Sequence, residues 1–522
     1  MNIPLDRDRA VPLARQIQAH LERLISERLL GPGVKLPATR ELALSLGVNR
    51  ATVALAYEEL VAAGWARAHV GQGTFVAERG TNGSAGGNGG MPAVASAHSD
   101  RRPGHDGGRP PGNPPIPWPQ LLSRSARIID AEQRANPPAA GDNVISFAGG
   151  MPDSGLFPTD AFRRVLNDVI RDEGDVLLQY YPVGGYPPLR RYLSSYLLRF
   201  GIEARPEEIL IVNGSQQGFD LIARTLVDPG DVVAIEQPTY PRAMQVFRAF
   251  GARLLAVERD AAGPRPDAFE RLLERHAPKL FYCQPSAHNP TGLTMGLDTG
   301  RRLLAAAARH QVPIVEDGFD GSLYYGARPA GPLKAFDRDG VVIYIGTFSK
   351  ILFPGLRLGW LVAPAGLAER LQAAKQLADL HTSALIQAAV HRFCERKLLD
   401  RHLTRVAAEY GRRRTLLLNA LRRRMPEGVE WTEPQGGFSL LVSLPPGYDA
   451  AALLPKAIER GVAFTPGAVF FLEGAGERTL RLSFSSVPAA RIDDGIRRLA
   501  DLIKAARRRP ERPAPRATVP LV

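Results

Sequence analysis

The chain has 522 residues, 44% of them hydrophobic, and its 66 lysines and arginines outnumber 53 aspartates and glutamates to leave a net charge of +13. That length exceeds one ordinary core, so two or more domains are expected, and the apolar content excludes a wholly disordered chain. Two cysteines, Cys283 and Cys394, exclude a disulfide framework and point to a reducing, cytoplasmic setting; no apolar run reaches the length of a membrane span, and no basic-then-apolar leader opens the chain. The positive balance favours an anionic partner only weakly, because much of it lies in the runs Arg412–Arg414 and Arg422–Arg424, which are expected to be solvated helix faces.

Leu13, Ile17, Leu21, Leu24 and Ile25 share one helical face, and "GPGVKLP" breaks the chain after them. "ATRELALSLG" predicts a second, short helix ending at Gly47. Asn49 suits the N-cap of a third, "RATVALAYEELVAAG", which ends at Gly64. "WARAHVGQGTFVAE" then gives two short β runs about a Gly-Gln-Gly turn. Three helices and a hairpin make a winged helix-turn-helix. In that geometry the first residues of the third helix, Asn49, Arg50, Ala51 and Thr52, face base edges in the major groove. Arg40 opens the second helix, where a cation meets phosphate or a guanine edge. Composition alone equally allows a small helical protein-interaction domain with surface arginines.

The ordered string from "PLARQI" through "LPATRELALSLGVNRATVALAYEEL" to "GQGTFV" closely resembles the GntR-type winged helix over nearly all of residues 11–77. The resemblance implies that Arg40, Arg50, Thr52 and the wing residues Gly71, Gln72, Gly73 and Thr74 contact double-stranded operator DNA. Ala38 stands where that family often has a capping serine, so the second helix is expected to start less firmly, by roughly 1 kcal/mol.

This domain takes residues 1–79. Residues 80–143 are rich in Gly, Pro, Asn and Ser and read as a flexible linker, closed by a short amphipathic helix near 121–129. From 144 to 509 strand-like runs alternate with helical stretches: "EILIVNGSQQGFDLIARTL", "DVVAIEQPTYPRAMQVFRAFG", "KLFYCQPSAHNPTG", "VPIVEDGFD" and "VVIYIGTFSK". This is α/β organisation with a mainly parallel sheet, in which functional residues follow the strand ends. The tail, 510–522, reads as disordered.

"NGSQQG" follows a strand and opens a helix, so the amides of Gly214, Ser215 and Gln216 suit an anion at a helix N-terminus, a weak signal by itself. Asp317 ends an apolar strand, as a helix cap or as a site residue. Asn289 precedes proline in a tight turn, which alone says only "turn". The run Val341–Ile345 ends in a small-residue turn that carries Lys350, and Arg357 follows seven residues later. Taken together, an amine, an acid, an amide donor and an anion cradle form the set that pyridoxal 5′-phosphate (PLP) needs. Lys350 would form the internal aldimine and Asp317 would keep the pyridine nitrogen protonated. The cradle, with Thr347 and Arg357, would hold the phosphate.

"LQYYPVGGYPPLR", "NGSQQ", "QPTYP", "HNPTG", "VEDGF", "TFSKILFPGLRLGW", "PQGGF", "PGAVFF" and "LRLSFS" occur in the order found in fold-type I aminotransferases, and the resemblance covers about 144–500. It implies a large, mainly parallel sheet domain and a smaller C-terminal α/β domain. It assigns Ser215, Gln216, Thr347 and Arg357 to the phosphate, Tyr240 to the ring face, Asn289 to the ring hydroxyl, Asp317 to the ring nitrogen and Lys350 to the aldimine. Arg481 would grip a substrate carboxylate, and Tyr180 would reach the neighbouring subunit's phosphate in a homodimer. Phe319 stands where the family usually places a tyrosine on the ring hydroxyl. No metal is expected.

A GntR-type winged helix, a long linker and an aminotransferase-like domain together resemble the MocR-type transcriptional regulators. That resemblance implies a cytoplasmic, DNA-binding sensor of PLP or of an amine or amino-acid effector, with no membrane partner. A working aminotransferase that carries an accessory DNA-binding domain is the alternative.

Overall fold

A computed structural model describes residues 3–7, 11–27, 29–69, 73–77, 116–133, 143–318, 323–326, 331–472 and 475–507. The chain divides into two units at Asn113/Pro114.

In the first unit, α1 (Leu13–Ser26), α2 (Thr39–Leu46) and α3 (Arg50–Ala62) precede a hairpin of β1 (Ala66–His69) and β2 (Gly73–Val76). Ile17 and Leu21 are buried in the core with Leu36, Leu42, Val53, Ala56 and Leu60, while Leu24 and Ile25 pack at its edge. α2 closes on Gly47 in the left-handed region (φ +62°), which favours glycine. Asn49 caps α3 as expected, its side chain accepting from the Ala51 amide at 3.0 Å. The wing register runs from Ala66 opposite Val76 to His69 opposite Gly73, and Lys35 makes an isolated antiparallel bridge to Phe75.

Ala38 is the N-cap of α2 and offers no side-chain hydrogen bond. Ala38→Ser should therefore stabilise this unit by about 1 kcal/mol. The gain should appear as a higher midpoint for its thermal transition in the full chain, and an unmoved midpoint would count against a missing cap.

The second unit opens with two short helices, Trp118–Leu121 and Arg124–Gln133, where one was expected. The break falls at Leu122, which is extended, and Ser123 then accepts from the Ala126 amide at 3.1 Å to start the second helix. The strands in chain order are β3 (Ile145–Ser146), β4 (Ile209–Val212), β5 (Val232–Gln237), β6 (Arg253–Asp260), β7 (Gly263–Pro264), β8 (Leu280–Cys283), β9 (Ile314–Asp317), β10 (Val342–Thr347) and β11 (Gly359–Val362). β12 (Glu430–Trp431), β13 (Ser439–Ser443), β14 (Val462–Ala463), β15 (Thr465–Pro466) and β16 (Thr479–Ser483) follow.

Eight strands form one sheet in the order β4-β11-β10-β9-β8-β5-β6-β7. β10, β9, β8, β5 and β6 are parallel, whereas β11 runs antiparallel to both its neighbours. Ile235, Tyr282, Val315 and Ile343 face one core, and Ala234, Phe281, Ile314 and Val342 face another. Burial on both faces explains why these strands read as continuous apolar runs rather than alternating ones. β12, β13, β16 and β15 make a smaller antiparallel sheet, and β14 pairs with β3 in parallel.

One expectation fails in the long helix Leu398–Arg424. Arg413 is buried there rather than solvated. It pairs with Asp153 and Glu409 at 2.7 Å each and donates to the Ser485 carbonyl, so its charge is neutralised inside the fold. Arg412, Arg422 and Arg423 do lie on exposed faces. Among the described residues no helix is long and apolar enough to cross a membrane. Residues 78–115 and 134–142, which include most of the expected linker 80–143, and 508–522, which include the expected tail 510–522, lie outside the described residues.

Candidate functional site

The C-terminal ends of β5, β8, β9 and β10 converge on a cavity of about 220 Å³. Parallel pairing sets Asp317, at the end of β9, opposite Ile345 on β10, so the turn that carries Thr347 and Lys350 rises next to the acid. β8 runs into Gln284 and β5 leads to Tyr240, while Arg481 comes from β16 of the smaller sheet. Ser215, Tyr240, Asn289, Asp317, Thr347, Lys350 and Arg481, all singled out in the sequence, line this one cavity. Gln284, Met151 and Phe438 line it too and were not foreseen. Gln284 directly follows a buried strand, a signal that could have found it.

Asp317 is buried, and its Oδ2 accepts from Tyr282 Oη at 2.8 Å and from Gln284 Nε2 at 2.6 Å. Burial pushes its carboxyl above the usual range, while those two donors and the charge on Lys350 oppose the rise. Lys350 Nζ donates to the Gly150 carbonyl at 3.1 Å. Burial first, then the charges of Arg481 and Arg357, pull its ammonium down to about 8, with Asp317 opposing them.

Arg481 is held firmly. Its Nη2 donates to the carbonyls of Ala148 (2.7 Å) and Gly149 (2.9 Å) and to Thr465 Oγ1 (3.1 Å), and its Nη1 donates to Asn289 Oδ1 (3.2 Å). The guanidinium lies over the Phe470 ring at 5.1 Å, and burial lowers its pKa to about 10. Its Nε is buried without a hydrogen-bond partner.

Arg357 does not line the cavity. It adopts φ +49°, uncommon for a side-chain-bearing residue, and its Nη2 donates to the Asn213 carbonyl at 3.1 Å. Gly214 adopts φ +77°, which favours glycine in the loop before the helix Ser215–Leu226, and a Cβ there would also come within 2.8 Å of that Nη2 and push the arginine aside. Gln216 is exposed on the first turn of the same helix and is absent from the cavity wall. Tyr180 is 83% exposed, edge-on to His381 at 6.0 Å, and also outside the wall. Phe319 lies outside the described residues.

A half-buried amine near a buried acid, a guanidinium nitrogen left without a partner, and a glycine loop that opens a helix next to a cation make a donor set that fits PLP.

In the first unit, Arg40 and Arg50 are exposed, each within the first two residues of its helix. Thr52 and Thr74 are half-buried and Gly73 is exposed, while Gly71 and Gln72 lie outside the described residues. Lys35, which the sequence had not singled out, adds a cation beside the wing, its Nζ 5.9 Å from the centre of the Phe75 ring.

Fold and site together define a winged helix-turn-helix joined to a PLP-dependent aminotransferase fold. Residues 143–499 match the aminotransferase class I and II family, and residues 13–76 match the bacterial regulatory proteins of the gntR family. The chain is 31% identical over 517 residues to the Rhizobium meliloti protein named "Probable rhizopine catabolism regulatory protein MocR", covering 98% of each chain. It is 32% identical to the HTH-type transcriptional regulator TauR of Rhodobacter capsulatus, over 94% of this chain and 96% of that one. Among solved structures, LysN, the α-aminoadipate aminotransferase of Thermus thermophilus complexed with N-(5′-phosphopyridoxyl)-L-leucine, is 38% identical with a TM-score of 0.70. That similarity covers 75% of this chain and 99% of LysN. The chain belongs to the GntR-family regulators of MocR type, whose DNA-binding domain is joined to an aminotransferase class I and II domain. Its cofactor is PLP, and regulators of the gntR family bind DNA.

Proposed function

We propose that the cavity is the sensor of a DNA-binding transcriptional regulator, with residues 1–79 on the operator, 80–143 as linker and 144–509 as the PLP-bearing domain. The convergence of Lys350, Asp317 and Arg481 on one cavity carries this reading. PLP, when bound, supplies an aldehyde that condenses with amines and a ring that accepts their electrons. Lys350 presents the amine, partly neutral because burial and Arg481 lower its pKa. Asp317 would offer its carboxylate to the ring nitrogen, held in place by Tyr282 and Gln284. The amides at Ser215 and Gln216, with Thr347 and Arg357, would hold the phosphate; Tyr240 would cover the ring, and Asn289 would donate to its hydroxyl. Arg481 takes the carboxylate of an amine or amino-acid effector as a bidentate partner. The protein acts as a homodimer in which Tyr180 reaches the neighbouring site. Arg40, Arg50, Thr52 and the wing at 71–74 contact the operator.

The test is a titration of the cofactor's absorbance with candidate amino acids, with and without operator DNA. By linkage, DNA must change effector affinity by the factor through which effector changes DNA affinity. The two curves should separate, and Arg481→Ala should weaken binding in both. Coincident curves for a ligand that perturbs the absorbance would defeat the sensor reading. They would favour the second reading, turnover as an aminotransferase, which the intact Lys350–Asp317 pair and the 38% identity to LysN support. Keto-acid-dependent turnover would establish it.

A further inference from the structure

Behind the glycine loop, and away from the cavity wall, lies a closed polar ring. Asp379 ends the helix Ala365–Asp379, and Lys375 sits one turn before it with its side chain wholly buried. Lys375 Nζ donates to both carboxylate oxygens of Asp379, at 2.8 Å each, and to Gln217 Oε1 at 3.0 Å. Asp379 Oδ2 also accepts from Asn213 Nδ2 at 2.5 Å and from Gln217 Nε2 at 2.7 Å. Gln217 Oε1 accepts in addition from the Asn213 amide at 2.8 Å.

Lys375 is wholly buried and Asp379 is 23% exposed, and an ion pair with a buried member is a poor means of stabilising a fold, because an apolar pair of the same size is often as good or better. This one spends its hydrogen bonds on Asn213 and Gln217, which flank Gly214 and Ser215. Asn213 is held from below through its side chain and amide, and its carbonyl accepts from Arg357 above. Asp379 is thereby connected, through one residue, to the arginine beside the loop.

We infer that Lys375 and Asp379 are positioning residues that shape the phosphate cradle at 213–216 and hold Arg357 against it, without touching the cofactor. The inference rests on the PLP reading above. It makes a chemical distinction that general support of the fold does not. Lys350 and Asp317 serve the aldehyde and the ring nitrogen, which PLP and pyridoxal share, whereas the cradle serves the phosphate, which pyridoxal lacks.

The experiment titrates full-length apoprotein with PLP and, separately, with pyridoxal, reading the bound fraction by absorbance. In Asp379→Asn the affinity for PLP should fall about ten- to a hundredfold, the scale for losing hydrogen bonds to a charged group, while that for pyridoxal stays near the wild-type value. Asn213→Ala leaves the buried pair intact and cuts one of the loop's ties to it. It should show the same selective loss in smaller measure, and it decides the question if Asp379→Asn does not fold. Equal losses for the two ligands would reduce the ring to structural support, and no loss would remove it from the cradle; either overturns the inference. A wild-type protein that does not itself prefer PLP to pyridoxal would defeat the PLP reading and the inference with it, a result that the wild-type titration alone reveals.

Discussion

The Lys350→Ala variant is expected to purify without the visible absorbance of covalently held PLP while keeping the far-ultraviolet dichroism of the wild type. Among the described residues that line the cavity, Lys350 carries the sole amine. A neutral amine is the nucleophile, and the surroundings of Lys350 favour that form, burial first and then the Arg481 charge, against the opposing pull of Asp317. Capture of PLP by the apoprotein should therefore quicken as pH rises and level off above about 8. Arg481→Ala removes a neighbouring cation, so the ammonium should hold its proton to higher pH and the profile should move upward. The stability linkage has the same origin. The folded apoprotein binds fewer protons at Lys350 than the unfolded chain between about 8 and the ordinary 10.5, so this group's contribution to stability rises with pH across that window. A band that survives in Lys350→Ala would take the lysine out of the site altogether.

Arg50→Ala is expected to weaken operator binding by about 1–3 kcal/mol and to relax specificity at one base position, if the side chain reads a base edge. Arg50 is exposed at the first position of α3, immediately after the Asn49 cap that fixes where the helix begins. A pure phosphate contact has a different signature: the loss is uniform across sequences, and the salt slope falls by about one. Titrating operator and scrambled duplexes at two salt concentrations separates the two. Joint replacement of Arg40 and Arg50 without effect on either duplex would place the DNA surface elsewhere.

The features legible in the sequence are those that local physics determines. β9 and β10 are buried on both faces, so their β-branched runs stand out, and Asp317 and Lys350 stand out at the ends of those runs. The cap at Asn49 and the left-handed Gly47 are equally local. Direction and burial are not. "GWLVAP" does not reveal that β11 runs antiparallel, because the tight turn at 354–357 reverses the chain. Arg413 looks like any member of a basic helix face, and its partners Asp153 and Ser485 are far away in sequence. Lys375 and Asp379 have the spacing of an ordinary surface pair on one helix. It takes Gln217 on the neighbouring helix, with Asn213 just before that helix, to convert them into a closed ring. Tyr282 was missed for a related reason, since a tyrosine inside an apolar strand gains meaning only from the carboxylate it meets, whereas Gln284 could have been found from its place just after that strand.

The grip on Arg481 bears on discrimination among the many amines of a cell. Two backbone carbonyls and a threonine hydroxyl already hold one end of the guanidinium, so protein groups rather than water satisfy that end. If Arg481 takes the effector's acid group, an arriving carboxylate finds a partner that need not be ordered, so little of the interaction is lost to entropy. An amine without an acid group would cover the same cation and give it no counter-charge, leaving it unpaired as a site built around a polar contact is left by any analogue that lacks it. Selectivity for acidic amines over plain ones would then come less from attraction to the right molecule than from the penalty imposed on the wrong one.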